Sequence, residues 1–178
     1  MPASEHRFSE DPPSDRYIDT DLIVSFLVET EPDHQRCKAF LANLETYDRT
    51  TVYLSGLSWV EFIHVVSRER FRRNLSDDLQ RQLRVRRWNE PLVRQAYIRS
   101  FVRRLEAILT QFTWIEIDLT PEIRRRAIDY IAQYNLSGQD AIHLASALNA
   151  GVTDLASFDG GFRRVEGVHL WNDLIHAK

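Results

Sequence analysis

Apolar positions along the chain switch repeatedly between short runs and helical spacing. Tyr17-Ile18 is a brief apolar run that ends at Asp19, and Leu22, Ile23, Phe26 and Leu27 then recur at helical intervals. This pattern predicts a strand over 16–19 feeding a helix over 20–29, with Asp19 at the strand's C-terminal tip. Pro32 and Asp33 open a second helix whose stripe is Cys37, Phe40, Leu41 and Leu44. The β-favouring run 51–55 predicts a second strand, followed by a helix over 57–70 that carries Glu61. Leu75, Leu79 and Leu83 are spaced by four, as are Val93, Tyr97, Phe101 and Leu105, so two helices flank a break at Asn89-Glu90-Pro91.

A third strand is predicted over 112–117. Thr120-Pro121-Glu122 starts a helix running to 134, with Thr as N-cap and Pro in its first turn. Another helix covers 138–149 and stops at Gly151. Residues 155–157 form a fourth strand and 168–170 a short edge strand. Residues 1–15 are polar, contain Pro2, Pro12 and Pro13, and predict a disordered or loosely attached extension. Alternating strands and helices imply one domain over 16–178, a three-layer α/β/α fold around a mostly parallel sheet of four to five strands.

Composition narrows the setting. With 43% hydrophobic and 28% charged residues in 178, the chain has the balance of a soluble globular domain. No apolar run reaches the ~20 residues that span a bilayer, and the first fifteen residues have no apolar core of a secretion signal. Cys37 is the only cysteine, which rules out an intrachain disulfide and suits a reducing, cytoplasmic setting. The net charge of −3 conceals a segment, 68–104, in which twelve arginines face four acids. A basic stretch on an acidic body points to an anionic partner. Arginines opposite an apolar stripe also form an ordinary solvated face. Arg84, Arg86, Arg87, Arg94 and Arg99 are the candidates for phosphate contacts.

Four acids carry the candidate chemistry, and each has a structural alternative. Asp19 also suits an N-cap, Glu61 follows Ser58 by three as in a capping box, Asp140 follows Ser137 the same way, and Asp159 fits a turn. Taken together they fall at strand ends and following helix starts, which lie on one edge of a parallel sheet. Carboxylates gathered there repel unless some are neutralised or a cation sits among them. An oxygen-rich site of this kind suits Mg²⁺ or Mn²⁺, which can activate water against a phosphodiester.

The segments YIDTDLIVSFL, LSGLSWVEFIHVV, LSGQDAIHLASAL and LASFDGGF, in this order, resemble those of PIN-domain ribonucleases, specifically the VapC-type toxins of toxin–antitoxin pairs. The resemblance spans 16–171 and implies an acid quartet of Asp19, Glu61, Asp140 and Asp159, with Phe162 closing the last segment. It implies Mg²⁺- or Mn²⁺-dependent endonucleolytic hydrolysis of RNA leaving a 5′-phosphate. It also implies a cognate antitoxin laid over the acidic crevice, and a homodimer. Thr20 and Ser157 are the hydroxyls expected beside the metal; Asp21 assists through water or shapes the loop. Ser157 replaces the family's usual threonine, and the interval from Glu61 to Asp140 is longer than in compact members.

Other classes compete. Asp19-Thr20-Asp21 also resembles the opening of haloacid-dehalogenase-type phosphatases, with Asp19 as covalent nucleophile. That chemistry uses a later lysine, and Lys38 and Lys178 are poorly placed for it. Glu61-x-x-His64 and Asp140-x-x-His143 have the spacing of di-iron bundles, against which the strand signals argue; His64 and His143 are read as buried or half-buried helix residues. A PIN domain that binds RNA or protein without cleaving is the third possibility.

Overall fold

The computed structural model describes residues 2–10, 15–29, 31–46, 50–68 and 90–172. Six strands build one sheet: β1 (Ser4–His6), β2 (Asp15–Ile18), β3 (Thr51–Ser55), β4 (Thr113–Ile117), β5 (Asp154–Ala156) and β6 (His169–Trp171). Their spatial order is β1-β6-β5-β2-β3-β4, and every pairing is parallel. The helices are α1 (Thr20–Leu27), α2 (His34–Glu45), α3 (Gly56–Ser67), α4 (Pro91–Leu109), α5 (Pro121–Tyr134) and α6 (Gly138–Asn149), followed by a 3₁₀ turn over Gly160–Arg164.

The pleat sorts neighbouring residues to opposite faces, and two cores follow. Ile18, Val52, Leu54, Ala156 and Trp171 pack with α1 to α4 through Leu22, Phe40, Phe62, Phe101 and their neighbours. Tyr17, Leu155 and Leu170 pack with α5, α6 and the 3₁₀ turn through Ile123, Leu144 and Phe162. This is the three-layer α/β/α architecture, with six strands where the hydrophobic pattern predicted four to five. Of the predicted stripe in α4, Tyr97, Phe101 and Leu105 are buried, joined by Leu109, while Val93 is half-buried. The parallel Leu75, Leu79 and Leu83 stripe lies outside the described residues.

The additional strand comes from the segment expected to be loosely attached. Ser4, Glu5 and His6 lie opposite His169, Leu170 and Trp171. β6 is therefore covered rather than an edge, and Phe8 is buried against Phe40. Three polar residues suffice, since the strand borrows backbone hydrogen bonds from an edge that already exists. Among the described residues no helix is long and apolar enough to cross a membrane.

Connections from β2 lead outward through β3 to β4, whereas β5 and β6 return to its other side. Strand order thus reverses between β2 and β5, and a crevice opens at their C-terminal ends. Asp19 follows β2 directly, Ser157 follows β5, and α3 starts where β3 ends.

Candidate active site

Asp19 is the N-cap of α1, and its carboxylate also reaches into the crevice. As N-cap of α1 it accepts the Thr20 amide at 2.6 Å through Oδ1, while Oδ2 accepts the Ser157 hydroxyl at 2.7 Å. Both oxygens are thereby fixed at the switch point, 138 residues apart in chain position from the serine that holds one of them. Burial raises the Asp19 pKa against the opposing pull of His143 and these hydrogen bonds.

Glu61 is not the partner of a capping box. The N-cap of α3 is Ser55, whose hydroxyl accepts the Ser58 amide, so Glu61 lies in the second turn with its carboxylate free to turn inward. Its Oε2 accepts the Thr20 hydroxyl at 2.6 Å and sits 2.8 Å from His143 Nε2. Burial alone would raise Glu61, but these two bonds hold it below the ordinary glutamate value.

His143 is the residue the sequence reading missed. It is 1% exposed, and its Nε2 faces Glu61 Oε2 and, at 3.5 Å, Asp19 Oδ1. Its Nδ1 shares a 2.6 Å hydrogen bond with the Tyr17 hydroxyl, which burial keeps protonated by raising its pKa. Burial opposes the imidazolium, yet the charge of Asp19 and the Glu61 bond outweigh it and raise the His143 pKa. The i,i+3 spacings of Glu61 with His64 and of Asp140 with His143, already set aside as a di-iron motif, do not define the cluster, although Asp140 acts on His143 through its charge. His64 instead contacts Arg68, and Glu61 meets His143 across the crevice.

The remaining acids line the rim. Asp21 accepts the Phe158 amide at 2.9 Å through Oδ2, while its Oδ1 is buried with no hydrogen-bond partner. Burial, then the Asp19 charge, pushes Asp21 well above the usual carboxylate range. Asp140 is half-buried in the first turn of α6; Ser137 caps its amide as the S-x-x-D spacing foresaw, and its charge helps raise His143. Asp159 is exposed, caps the 3₁₀ turn through the Gly161 amide at 2.6 Å, and adds to the field on Asp21. Arg94 and Arg99 are exposed on α4, whereas Arg84, Arg86 and Arg87 lie outside the described residues.

Asp19, Glu61 and His143 each offer one ligand atom, and the three atoms lie within 4.8 Å of one another. Neither Asp140 nor Asp159 joins that trio. Two carboxylates and one imidazole form a donor set that fits a divalent cation. A groove of about 660 Å³ between α1 and α3 leads to it, bordered by Thr20, Asp21, Glu61, His64, Arg68 and Gln139.

Acidic groups gathered at the switch point of a parallel α/β sheet define a domain with a candidate metal-binding crevice. The chain belongs to the PIN domain family, whose model matches residues 16–168. No curated protein matches it by sequence. The fold is similar to FitAcB from Neisseria gonorrhoeae, with TM-score 0.55, 22% identity, and coverage of 88% of this chain and 96% of that one. It is also similar to the sarcin-ricin loop cleaving toxin VapC20 of Mycobacterium tuberculosis (TM-score 0.53, 15% identity, 83% and 92% coverage). A toxin–antitoxin complex from Klebsiella pneumoniae matches with TM-score 0.51, 18% identity, and 86% and 94% coverage. A six-stranded sheet sets aside the di-iron bundle.

Proposed function

We propose that the protein is a metal-dependent endoribonuclease and the toxin of a toxin–antitoxin pair. The observation that carries this reading is the convergence of Asp19, Glu61 and His143 at the switch point of a PIN domain. These three would hold Mg²⁺ or Mn²⁺, with Asp140 and Asp159 adding negative charge around it. The ion's contribution is to acidify a water for attack and to offset charge developing on a phosphodiester.

The chain's own groups do the positioning. Ser157 and the Thr20 amide fix the Asp19 carboxylate, and the Thr20 hydroxyl fixes that of Glu61. Tyr17 orients the His143 ring through Nδ1, leaving Nε2 to face the carboxylates. RNA enters along the groove between α1 and α3, where His64 and Arg68 stand within reach of its phosphates. The similarity to a toxin–antitoxin complex supports a protein antitoxin that covers this groove; a homodimer and a cytoplasmic setting complete the reading.

The deciding experiment is cleavage of structured RNA by the full chain in Mn²⁺, with a chelator arm and the variants Asp19→Asn and Asp140→Asn. Expected are products with 5′-phosphate ends, no product with chelator, and a drop of at least about 100-fold in Asp19→Asn. Asp140→Asn separates the rim acid from the trio by the size of its own loss. Cleavage that survives chelation overturns the metal mechanism. Metal and RNA binding without cleavage, across a panel of ribosomal and transfer RNAs, assigns a non-catalytic binding domain instead.

A further inference from the structure

The strands β1 and β6 join the two ends of the chain and carry a second group of ligating atoms, away from the crevice. Ser4 lies opposite His169 and His6 opposite Trp171, and residues two apart on a strand share a face. The Ser4 Oγ is 2.5 Å from His169 Nδ1 and 3.3 Å from His6 Nε2. Two imidazole nitrogens from opposite ends of the sequence therefore point at one oxygen.

The His6 ring is held for this from behind. Its Nδ1 donates to Glu10 Oε2 at 3.0 Å, and Glu10 also accepts the Arg7 amide at 3.1 Å. A carboxylate accepts only, so the proton lies on Nδ1 and the Nε2 lone pair is turned toward Ser4 and His169. Trp171 stacks on the same ring at 4.8 Å and 20°, and His169 meets it edge-on at 5.4 Å. A carboxylate behind an imidazole whose other nitrogen is free is the arrangement that orients metal-binding histidines and raises their basicity.

The Ser4 hydroxyl has one proton to give and two nitrogens facing it. Turned aside about its own single side-chain bond, it leaves both nitrogens directed at one point, which an ion with bonds of roughly 2.0–2.1 Å can occupy. Imidazole selects zinc, nickel and copper, whereas Mg²⁺ and Mn²⁺ favour oxygen donors. The crevice, with one imidazole and two carboxylates, also accepts zinc, so the two sites are told apart by variants rather than by the ion.

We propose that His6 Nε2 and His169 Nδ1 form a binding site for a zinc-like divalent cation, completed by water, which fastens the N-terminal strand to β6. Ligands drawn from the two ends of the chain are together only in the folded state. Binding there stabilises the fold in proportion to cation concentration.

The test is titration of the full chain with zinc chloride in millimolar Mg²⁺, followed by calorimetry and thermal unfolding. The variants are His6→Ala, His169→Ala, His169→Gln and Asp19→Asn. Expected is a zinc site that persists in Asp19→Asn, weakens at least tenfold in each histidine variant, and raises Tm of Asp19→Asn only where both histidines are intact. His169→Gln keeps a side chain that can accept from Ser4, so loss of zinc binding there is loss of a ligand rather than of the strand. With Cu²⁺ as the probe, the electron paramagnetic spectrum should show coupling to two ring nitrogens in Asp19→Asn and fewer in the histidine variants. Zinc affinity and Tm gain unchanged in the histidine variants, or abolished only by Asp19→Asn, overturn the proposal.

Discussion

His143 and Arg16 show how much a single buried side chain can decide. The imidazole lies between two carboxylates with its far nitrogen tied to Tyr17, so it either ligates a cation through Nε2 or donates a proton there. Because imidazole suits Mn²⁺ better than Mg²⁺, His143→Ala should weaken Mn²⁺ binding by about tenfold or more and Mg²⁺ binding less. Calorimetric titration with each ion checks this, and equal losses would make His143 a counter-charge only. The helical pattern around Ala141-Ile142-His143 marks the residue only by its spacing from Asp140, because its partners stand 82 and 126 positions earlier and sequence periodicity carries no such pairing. Asp19, Thr20 and Ser157 were legible because strand ends and helix starts are local features.

Arg16 was not legible either. It is fully buried, none of its three guanidinium nitrogens has a hydrogen-bond partner, and it lies over the rings of Trp171 at 4.0 Å and Phe40 at 5.0 Å. Burial lowers its pKa to about 10, with Asp154 opposing. The unfolded chain holds that proton more tightly than the fold does. Charged Arg16 therefore costs roughly 3 kcal/mol at neutral pH, a cost relieved only as pH climbs past about 10. Arg16→Met, which keeps the volume and removes the charge, should raise urea-unfolding stability by about 1–3 kcal/mol. A loss of stability in that variant would mean that the two ring contacts outweigh desolvation.

At the scale of elements, α4, α5 and α6 follow from periodicity and caps, whereas β1 follows from neither. A strand of Ser4-Glu5-His6 has no apolar alternation, and only the finished edge of β6 makes it one. Its hold on the domain is Phe8, which stacks on Phe40 at 4.2 Å and meets Phe158 edge-on at 5.8 Å. Phe158 supplies the amide that fixes Asp21, so the N-terminal segment also braces the crevice from behind. Phe8→Ala should cost about 3–5 kcal/mol in equilibrium unfolding if the segment is integral to the fold. A cost below about 1 kcal/mol would return residues 2–10 to the status of a loose extension. The same reasoning explains the misassigned cap of α3. Ser55 and Ser58 are both capping residues by type, and the end of β3 selects Ser55.

For the molecule as a whole, the two halves of the charge pattern have opposite tasks. The crevice gathers Asp19 and Glu61 and by itself repels a polyanion, so RNA binding by the proposed nuclease would have to draw on positive charge elsewhere on the surface. The segment 68–104, with twelve arginines against four acids, is where the positive charge of the chain is concentrated. Its described portion includes Arg94 and Arg99, exposed on the helix whose buried side packs against α1 and α3. If these guanidinium groups bind phosphates, affinity falls with salt at a slope of about 0.7 per contact on single-stranded RNA. Replacing Arg84, Arg86, Arg87, Arg94 and Arg99 with Gln should then flatten the slope by up to about 3.5, while Mn²⁺ binding in the crevice stays unchanged. An unaltered slope would assign the arginines to a solvated face. In that case the groove residues His64 and Arg68 would have to supply the phosphate contacts, and a His64→Ala, Arg68→Gln variant would carry the loss instead.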